Sequence, residues 1–400
     1  MKIGQIINEE WGNIFKDKRL FAVLFIIPIM YTAMFGYLYS NHRVKEMATV
    51  ILDEDGSPLS RQIIKAFDET ETFNITKQVG TEADIQPLLE SGKAKVAIVI
   101  PGDLYKKVLR GEEAPIMTII DGSNMLISNA ATKAVNEVIT NFSFGASSEK
   151  LAQNHFNAEQ IKLTLQAMPF RTRVLYNGTF NYADFLVYGL IGVALQQVLL
   201  LGLSLTVTRD KERGEWGRFQ EWREHPWKIA YAKTAPYFLI GIFDIITTFL
   251  VAIYGFNLPM RGSIIPITFL SVAFTFALLG IGYVASLFSA NQVGATQITM
   301  LIAVPSFLLS GFTWPFEAMP KFLSFVGHLL PLTYFLDGVR NIFIKGVGFD
   351  LIWSDCVVLL LMGLVTFLIA FIASSLNKYW ERETRHDSHI INEHEGIHLN

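Results

Sequence analysis

Long uncharged apolar runs fill two zones of the chain, 20–39 and 184–376, and charged residues crowd between and around them. A buried strand uses only about 4–8 such residues. Crossing a hydrocarbon core about 30 Å thick as a helix takes about 20. Six runs reach that length, at 20–39, 184–207, 231–254, 264–288, 294–313 and 352–376, and each predicts a transmembrane helix. A shorter apolar piece within 317–347 is interrupted by His328, Pro331 and Asp337. It predicts a re-entrant or interfacial hairpin buried against other helices, where protein groups satisfy irregular backbone. The run Leu20–Tyr39 is bulky and ends Tyr-Leu-Tyr without a small-residue cleavage site, so it reads as a retained span rather than a signal peptide. Within residues 1–19, Ile3, Ile6, Ile7, Trp11, Ile14 and Phe15 fall near one face at helical spacing, with Glu9, Glu10 and Lys16 as polar breaks. That pattern predicts an amphipathic helix in the membrane interface; a helix packed on its own protein is the competing expectation.

Residues 40–183 have a different texture. Ala48–Leu52, Ala94–Ile100 and Ile116–Ile120 are β-branched runs of strand length, each ending in a turn signal such as Asp53-Glu54-Asp55-Gly56, Pro101-Gly102 or Asp121-Gly122-Ser123-Asn124. Helical patterns separate them at Ser60–Phe67, Glu82–Leu89 and Leu104–Leu109, the first preceded by Ser57-Pro58. From Leu126 to Gln166 the pattern is helical, with a break expected near Phe142–Ser147. The fold class expected is an α-helical polytopic membrane protein with six transmembrane helices and an inserted extracytoplasmic α/β domain.

Composition agrees. The 400 residues are 51% hydrophobic and 17% charged, with a mean hydropathy of +0.35, more apolar than an ordinary soluble domain. A net charge of -3 with no long basic block gives no footprint for nucleic acid. The one cysteine, Cys356, cannot form an internal disulfide. Charge near the span ends sets orientation. Lys16, Lys18 and Arg19 precede the first span; Arg209, Lys211, Arg213, Arg218, Arg223 and Lys228 lie between the second and third; Lys378, Arg382 and Arg385 follow the last. With six spans these regions share one side, and their lysine and arginine excess marks it as cytoplasmic. Both termini are then cytoplasmic, and 40–183 lies outside.

No Gly-x-x-x-x-Gly-Lys loop, His-Glu-x-x-His or Cys-x-x-Cys occurs, so no catalytic, cofactor or metal residue is expected. Four of the eight histidines, His386, His389, His394 and His398, fall in the polar tail 377–400, which is expected to be disordered. The Asp53/Asp55 and Asp121/Asn124 clusters suit turns better than calcium. The segment Arg209–Trp227, in the loop 209–228, is dense in both signs of charge and carries three tryptophans, which suits a recess on a cytoplasmic partner; tryptophan anchoring in headgroups is the alternative. Asp244 lies mid-span, where a lipid-exposed carboxylate costs several kcal/mol, so it faces protein or a watery path. It is either a helix–helix contact or a coupling or substrate group. Gln196, Gln197, Gln292 and Gln297 read as amides that join helices, and Gly189, Gly192, Gly202, Gly280 and Gly282 as close-packing positions.

These segments resemble the permease subunit of ABC-2 type exporters, in the branch with a large external domain after the first span. VILDEDGSPLSRQIIKAF and SGKAKVAIVIPGDLYKKVLRGEEAPIMTIIDGSN resemble the family's external strand–helix units. KERG followed by HPWKIAYAKTAPYFLIGIFD resembles its cytoplasmic loop and third span, and LSGFTWPFEAMPKFLSFVGHLLPLTYFLDGVRNIFIKG its closing hairpin. The resemblance extends from the first helix to about residue 376. It implies that the loop couples to a separate ATPase, with Arg209, Lys211, Glu212, Arg213, Gly214, Trp216 and Arg218 as the coupling set. Gly214-Glu215-Trp216-Gly217 departs from the family's usual Gly-Thr turn. Pro315, Glu317, Pro320, Pro331, Leu332, Thr333 and Arg340 match the hairpin that lines the external gate.

The implied machine has two permease copies, or this chain with a homologous permease, and two ABC ATPase subunits that bind ATP and Mg, with a periplasmic adaptor as a further partner to look for. Its place is the bacterial inner membrane, among lipids. Apolar spans with scattered Asn, Gln, Thr and Tyr suit a hydrophobic or amphipathic cargo such as a drug, a lipid-like molecule or a metabolite. The rival function is a membrane scaffold or sensor whose external domain binds a ligand or envelope protein.

Overall fold

The computed structural model describes residues 2–39, 45–110, 112–123, 125–153, 176, 181–216 and 225–396, with side chains described except at 125–126, 143–153 and 375–396. The chain divides into two compact units, 41–180 and the remainder, 1–40 with 181–400.

In the smaller unit, β1 (Met47–Asp53), β2 (Phe73–Gln78), β3 (Val96–Ile100) and β4 (Met117–Ile120) form one sheet in the order β2-β1-β3-β4. β1 pairs parallel with β2 and β3, and β4 closes the edge antiparallel to β3. Between them run α3 (Pro58–Asp68), α4 (Ile85–Glu90) and α5 (Leu104–Arg110), and α6 (Met125–Gln153) follows. Successive strand residues point to opposite faces. Val96, Ile98 and Ile100 therefore pack with Ile63, Phe67 and Val135 on one face, while Ala97 and Val99 pack with Val50, Leu52 and Ile85 on the other. The sequence reading lacks β2. Only its first residue is fully buried, so the apolar signal of a strand is missing from FNITKQ. The break expected near Phe142–Ser147 is also absent: α6 runs unbroken to Gln153, since one glycine within a helix costs only about 1 kcal/mol. Residues 154–166 of that prediction lie outside the described residues. Asp53 Oδ1 accepts from the amides of Asp55 (3.1 Å) and Gly56 (3.0 Å), the turn role expected of it.

Among the described residues, the larger unit holds α1 (Ile3–Lys16) and six helices long and apolar enough to cross a membrane. These are α2 (Lys18–Leu38), α7 (Tyr182–Glu212), α8 (Pro226–Gly255), α9 (Ile264–Phe288), α10 (Gln292–Leu309) and α13, which spans over Phe349–Ser374 and continues as helix to Gly396. That continuation replaces the disordered tail expected from sequence; 377–396 has no Pro, and no Gly before Gly396, to stop a helix. The broken segment forms α11 (Lys321–His328) and α12 (Pro331–Lys345), bent by 81°. Pro331 opens α12 and disfavours helix in the residue before it, which places the bend. In α2 a widened turn at Ala22–Ile26 precedes Pro28, whose ring donates no N–H and crowds the preceding turn.

α7 is the central helix. Tyr188, Ile191, Leu195 and Leu199 lie in a core shared with Phe274 of α9, Phe335 and Leu336 of α12 and Leu359 of α13. Gly192 lets α12 approach: a Cβ there would collide with Leu336.

Candidate functional site

The apolar stretch of α7 gives way to charge at Arg209, and the helix stops three residues later, after Glu212, for a local reason. Gly214 is left-handed (φ 69°), its amide donates to Lys211 O (3.0 Å), and the Glu215 amide donates back to Asp210 O (2.8 Å). This paired capping of the last carbonyls explains a glycine after Glu212-Arg213. Arg213 and Gly214 are exposed, Trp216 is half-buried against Ile6, Val207 and Ala230, and Arg218 lies outside the described residues.

The rest of the described coupling set is tied to neighbouring helices, Arg209 buried, Lys211 half-buried and Glu212 exposed. Lys211 Nζ donates to the last carbonyls of α9, Leu287 O (2.6 Å) and Ser289 O (2.9 Å). Glu212 receives the Gln292 amide N–H (2.7 Å) and its side-chain NH2, which ties the end of α7 to the start of α10. Arg209 is buried. Its Nη2 reaches Glu10 Oε1 (3.4 Å), which also accepts from Tyr237 OH (3.2 Å). Lys233 Nζ donates to Glu10 Oε2 (2.8 Å) and lies 2.6 Å from Asp210 Oδ2. Two acids and two bases thus meet, at most 5% exposed, where α1, α7 and α8 converge. Arg213 Nη1 adds a surface contact to Asn13 Oδ1 (3.2 Å).

Sequence reading missed Glu10, Lys233 and Tyr237. Glu10 reads in the sequence as a polar break, yet Ile6, Glu10 and Ile14 share one buried face of α1 at a spacing of four. A lysine early in the third apolar run also demands a counter-charge. Together these were a legible signal. The apolar face assigned to the membrane interface is largely occupied by protein, because Ile6 packs on Ile229 and Ala232, and Ile14 on Leu20, Leu24 and Leu203.

The hairpin separates its residues into two groups. Pro331, Leu332 and Thr333 are buried, with Thr333 Oγ1 donating to Gly327 O (2.6 Å) across the bend. Pro315, Glu317 and Pro320 are exposed around its rim. Arg340 spans the two: its Nη2 donates to Phe312 O (2.8 Å), and the guanidinium lies over the Phe312 ring (4.4 Å), itself stacked on Phe185.

Mid-bundle, Gly241 of α8 lies against Leu199 of α7 and Thr275 of α9. One turn further toward the hairpin end, Asp244 and Gln196 occupy the same tier. Both are fully buried, and neither carboxylate oxygen nor either amide atom has a hydrogen-bond partner among the described residues; the Thr275 hydroxyl has none either. Gln196 is therefore not the helix-joining amide expected, and Asp244 makes no helix–helix hydrogen bond. Gln197, beside it, is half-buried.

Residues 18–372 match the family described as ABC-2 family transporter protein. YbhR of Escherichia coli strain K12, named a probable multidrug ABC transporter permease, is 23% identical over 370 residues, 92% of this chain and 97% of its own. YbhS of the same strain bears the same description and is 23% identical over 352 residues, 86% of this chain and 89% of its own. YhhJ, an inner membrane transport permease of that strain, is 25% identical over 327 residues, 80% of this chain and 83% of its own. The matched stretch takes in the α/β unit and nearly all of the six long helices, and the chain accordingly belongs to the ABC-2 transporter family: it is a multi-pass membrane permease, a transport subunit and not an enzyme, whose ATPase is a separate subunit.

Proposed function

We propose that this permease exports a hydrophobic or amphipathic molecule from the bacterial cytoplasm, driven by ATP and Mg bound on ATPase subunits that dock on the α7–α8 loop. The observation that carries this reading is the braced loop base. A segment that only connected two helices would need no attachment to α1, α9 and α10, whereas one that receives force from a partner does. In this reading the exposed Arg213 and Gly214, with Trp216 and the following residues through Arg218, face the ATPase, while Arg209, Lys211 and Glu212 pass the displacement inward. ATP-driven closure of the ATPase pair shifts the balance between two packed arrangements of the bundle. A second permease copy or a homologous one completes the pathway.

The loop end then lies in the cytoplasm with both termini, the α/β unit lies outside, and the bent pair α11–α12 re-enters the membrane from the outer side as part of the gate. Cargo class rests on the apolar bundle and on a groove of about 570 Å³ walled by Phe238, Leu279, Tyr283, Phe367 and Phe371. The multidrug description of YbhR and YbhS agrees with it. A periplasmic adaptor is a partner to test for.

Replacing Glu212 and Arg213 together should weaken co-purification of the ATPase subunit, or ATP-driven transport, while the chain still inserts. Unchanged pull-down and unchanged transport would remove both residues from the coupling path. The rival role, a scaffold or sensor, predicts no ATPase partner at this loop.

A further inference from the structure

α1 is held to the loop base by two kinds of contact. The first is apolar: Ile6 against Ile229, Ala232 and Trp216. Such burial is non-directional, so it keeps α1 on α8 but tolerates sliding and rotation. The second is the ion network, and it is directional. One carboxylate, that of Glu10, engages a cation from each of two helices, Arg209 of α7 and Lys233 of α8, together with the Tyr237 hydroxyl. Asp210 balances the second cation from its other side, so the four charges sum to zero. A buried, charge-balanced set contributes little net stability over an apolar replacement, and its best-attested use is to select one register.

We infer that Glu10 is a positioning residue for transport. Its carboxylate fixes the register of α1 on the base of the α7–α8 loop, so that α1 and the coupling element move as one body when the loop is displaced. The inference rests on the exporter reading for the displacement but not for the register itself. Lys211 and Glu212 extend the same body to the α9–α10 turn, so a push on the loop reaches four elements at once.

The test uses the full chain with its ATPase subunit in lipid nanodiscs, in a Cys356→Ser background. Spin labels go on the exposed positions Lys16→Cys of α1, Tyr231→Cys of α8 and Leu361→Cys of α13. In the parent, the Lys16–Tyr231 distance should form one narrow distribution with and without ATP plus vanadate, while the Lys16–Leu361 distance shifts with nucleotide. Glu10→Gln keeps the apolar contact and most of the side chain's shape, and it should broaden the Lys16–Tyr231 distribution even without nucleotide. ATP hydrolysis should continue while ATP-linked movement of α1 falls by the order of tenfold. The variant Glu10→Gln with Lys233→Met removes one charge of each sign and leaves Arg209 with Asp210. It should regain thermal stability yet keep the broad distribution, which a purely structural role would not. A narrow distribution in either variant overturns the inference. A parent with no nucleotide-dependent shift in any pair would instead count against the exporter reading.

Discussion

At the loop end Glu10 and Asp210 share two buried cations, whereas Asp244 lies eleven residues beyond Lys233 on α8, roughly 16 Å away along the axis, equally buried and with no partner among the described residues. Burial by itself therefore does not distinguish the two regions; charge pairing does. The loop end is a joint in which each buried ion stands beside one of opposite sign, even though Arg209 Nη1 and Asp210 Oδ1 have no hydrogen-bond partner among the described residues. The mid-bundle region keeps hydrogen-bonding capacity in reserve on three helices, at Gln196 and Asp244 and, one turn away, at Thr275, which is what a region that changes partners between two arrangements needs.

The sharpest way to break that contrast is to remove one member of the joint. Lys233→Ala leaves Asp210 without its cation and Glu10 with Arg209 alone, an uncompensated buried charge that should cost about 3–5 kcal/mol, read as a lowered unfolding temperature of the purified chain; a loss below about 1 kcal/mol would mean that water already reaches the network. Asp244→Leu should move the other way. Deleting an unsatisfied buried acid is expected to stabilise the fold by about 1–3 kcal/mol while impairing transport. Loss of stability there would reveal a partner for the carboxyl and erase the comparison.

At the hairpin, Arg340→Lys keeps the charge but loses the flat stack on Phe312, and a loss of about 1 kcal/mol is expected. Thermal unfolding checks it against Arg340→Ala, which should cost more. The smallest effect belongs to the α/β unit. Lys95 donates to Asp121 (2.8 Å), and this contact, aided by Ser123, holds the Asp121 carboxyl well below the ordinary carboxylate range. A depressed folded-state pKa contributes stability that is complete above the unfolded value of about 3.9 and is lost as pH falls below it. Asp121→Asn should flatten the acid limb of a pH-dependent unfolding curve by slightly lowering stability at neutral pH, where the contribution is complete, and changing it least in acid, where the parent has already lost it. An unaltered acid limb would show that the pair is not formed in solution.

Much of the architecture was legible without coordinates. The six long helices fall where the apolar runs do, and Pro331 announced the bend of the hairpin. Gly214 in KERG became a helix cap, and the Asp53 cluster a turn. Less legible were features whose signal is shared between distant segments. β2 is an edge strand with one fully buried residue, so its pairing with β1 supplies the order that its own composition does not. Glu10 looked like an interruption because its two cations lie about 200 residues away in the chain.

What this amino-acid sequence determined by itself is which stretches leave water, since the transfer free energy of a run of side chains is a local sum that needs no knowledge of neighbours. Which charges meet, and which are left alone, was decided by the tertiary structure. The energy of a buried ion depends on what stands within a few ångströms of it, and only the packing of α1 and α8 on α7 brought Glu10, Arg209 and Lys233 together while leaving Asp244 without a counterpart.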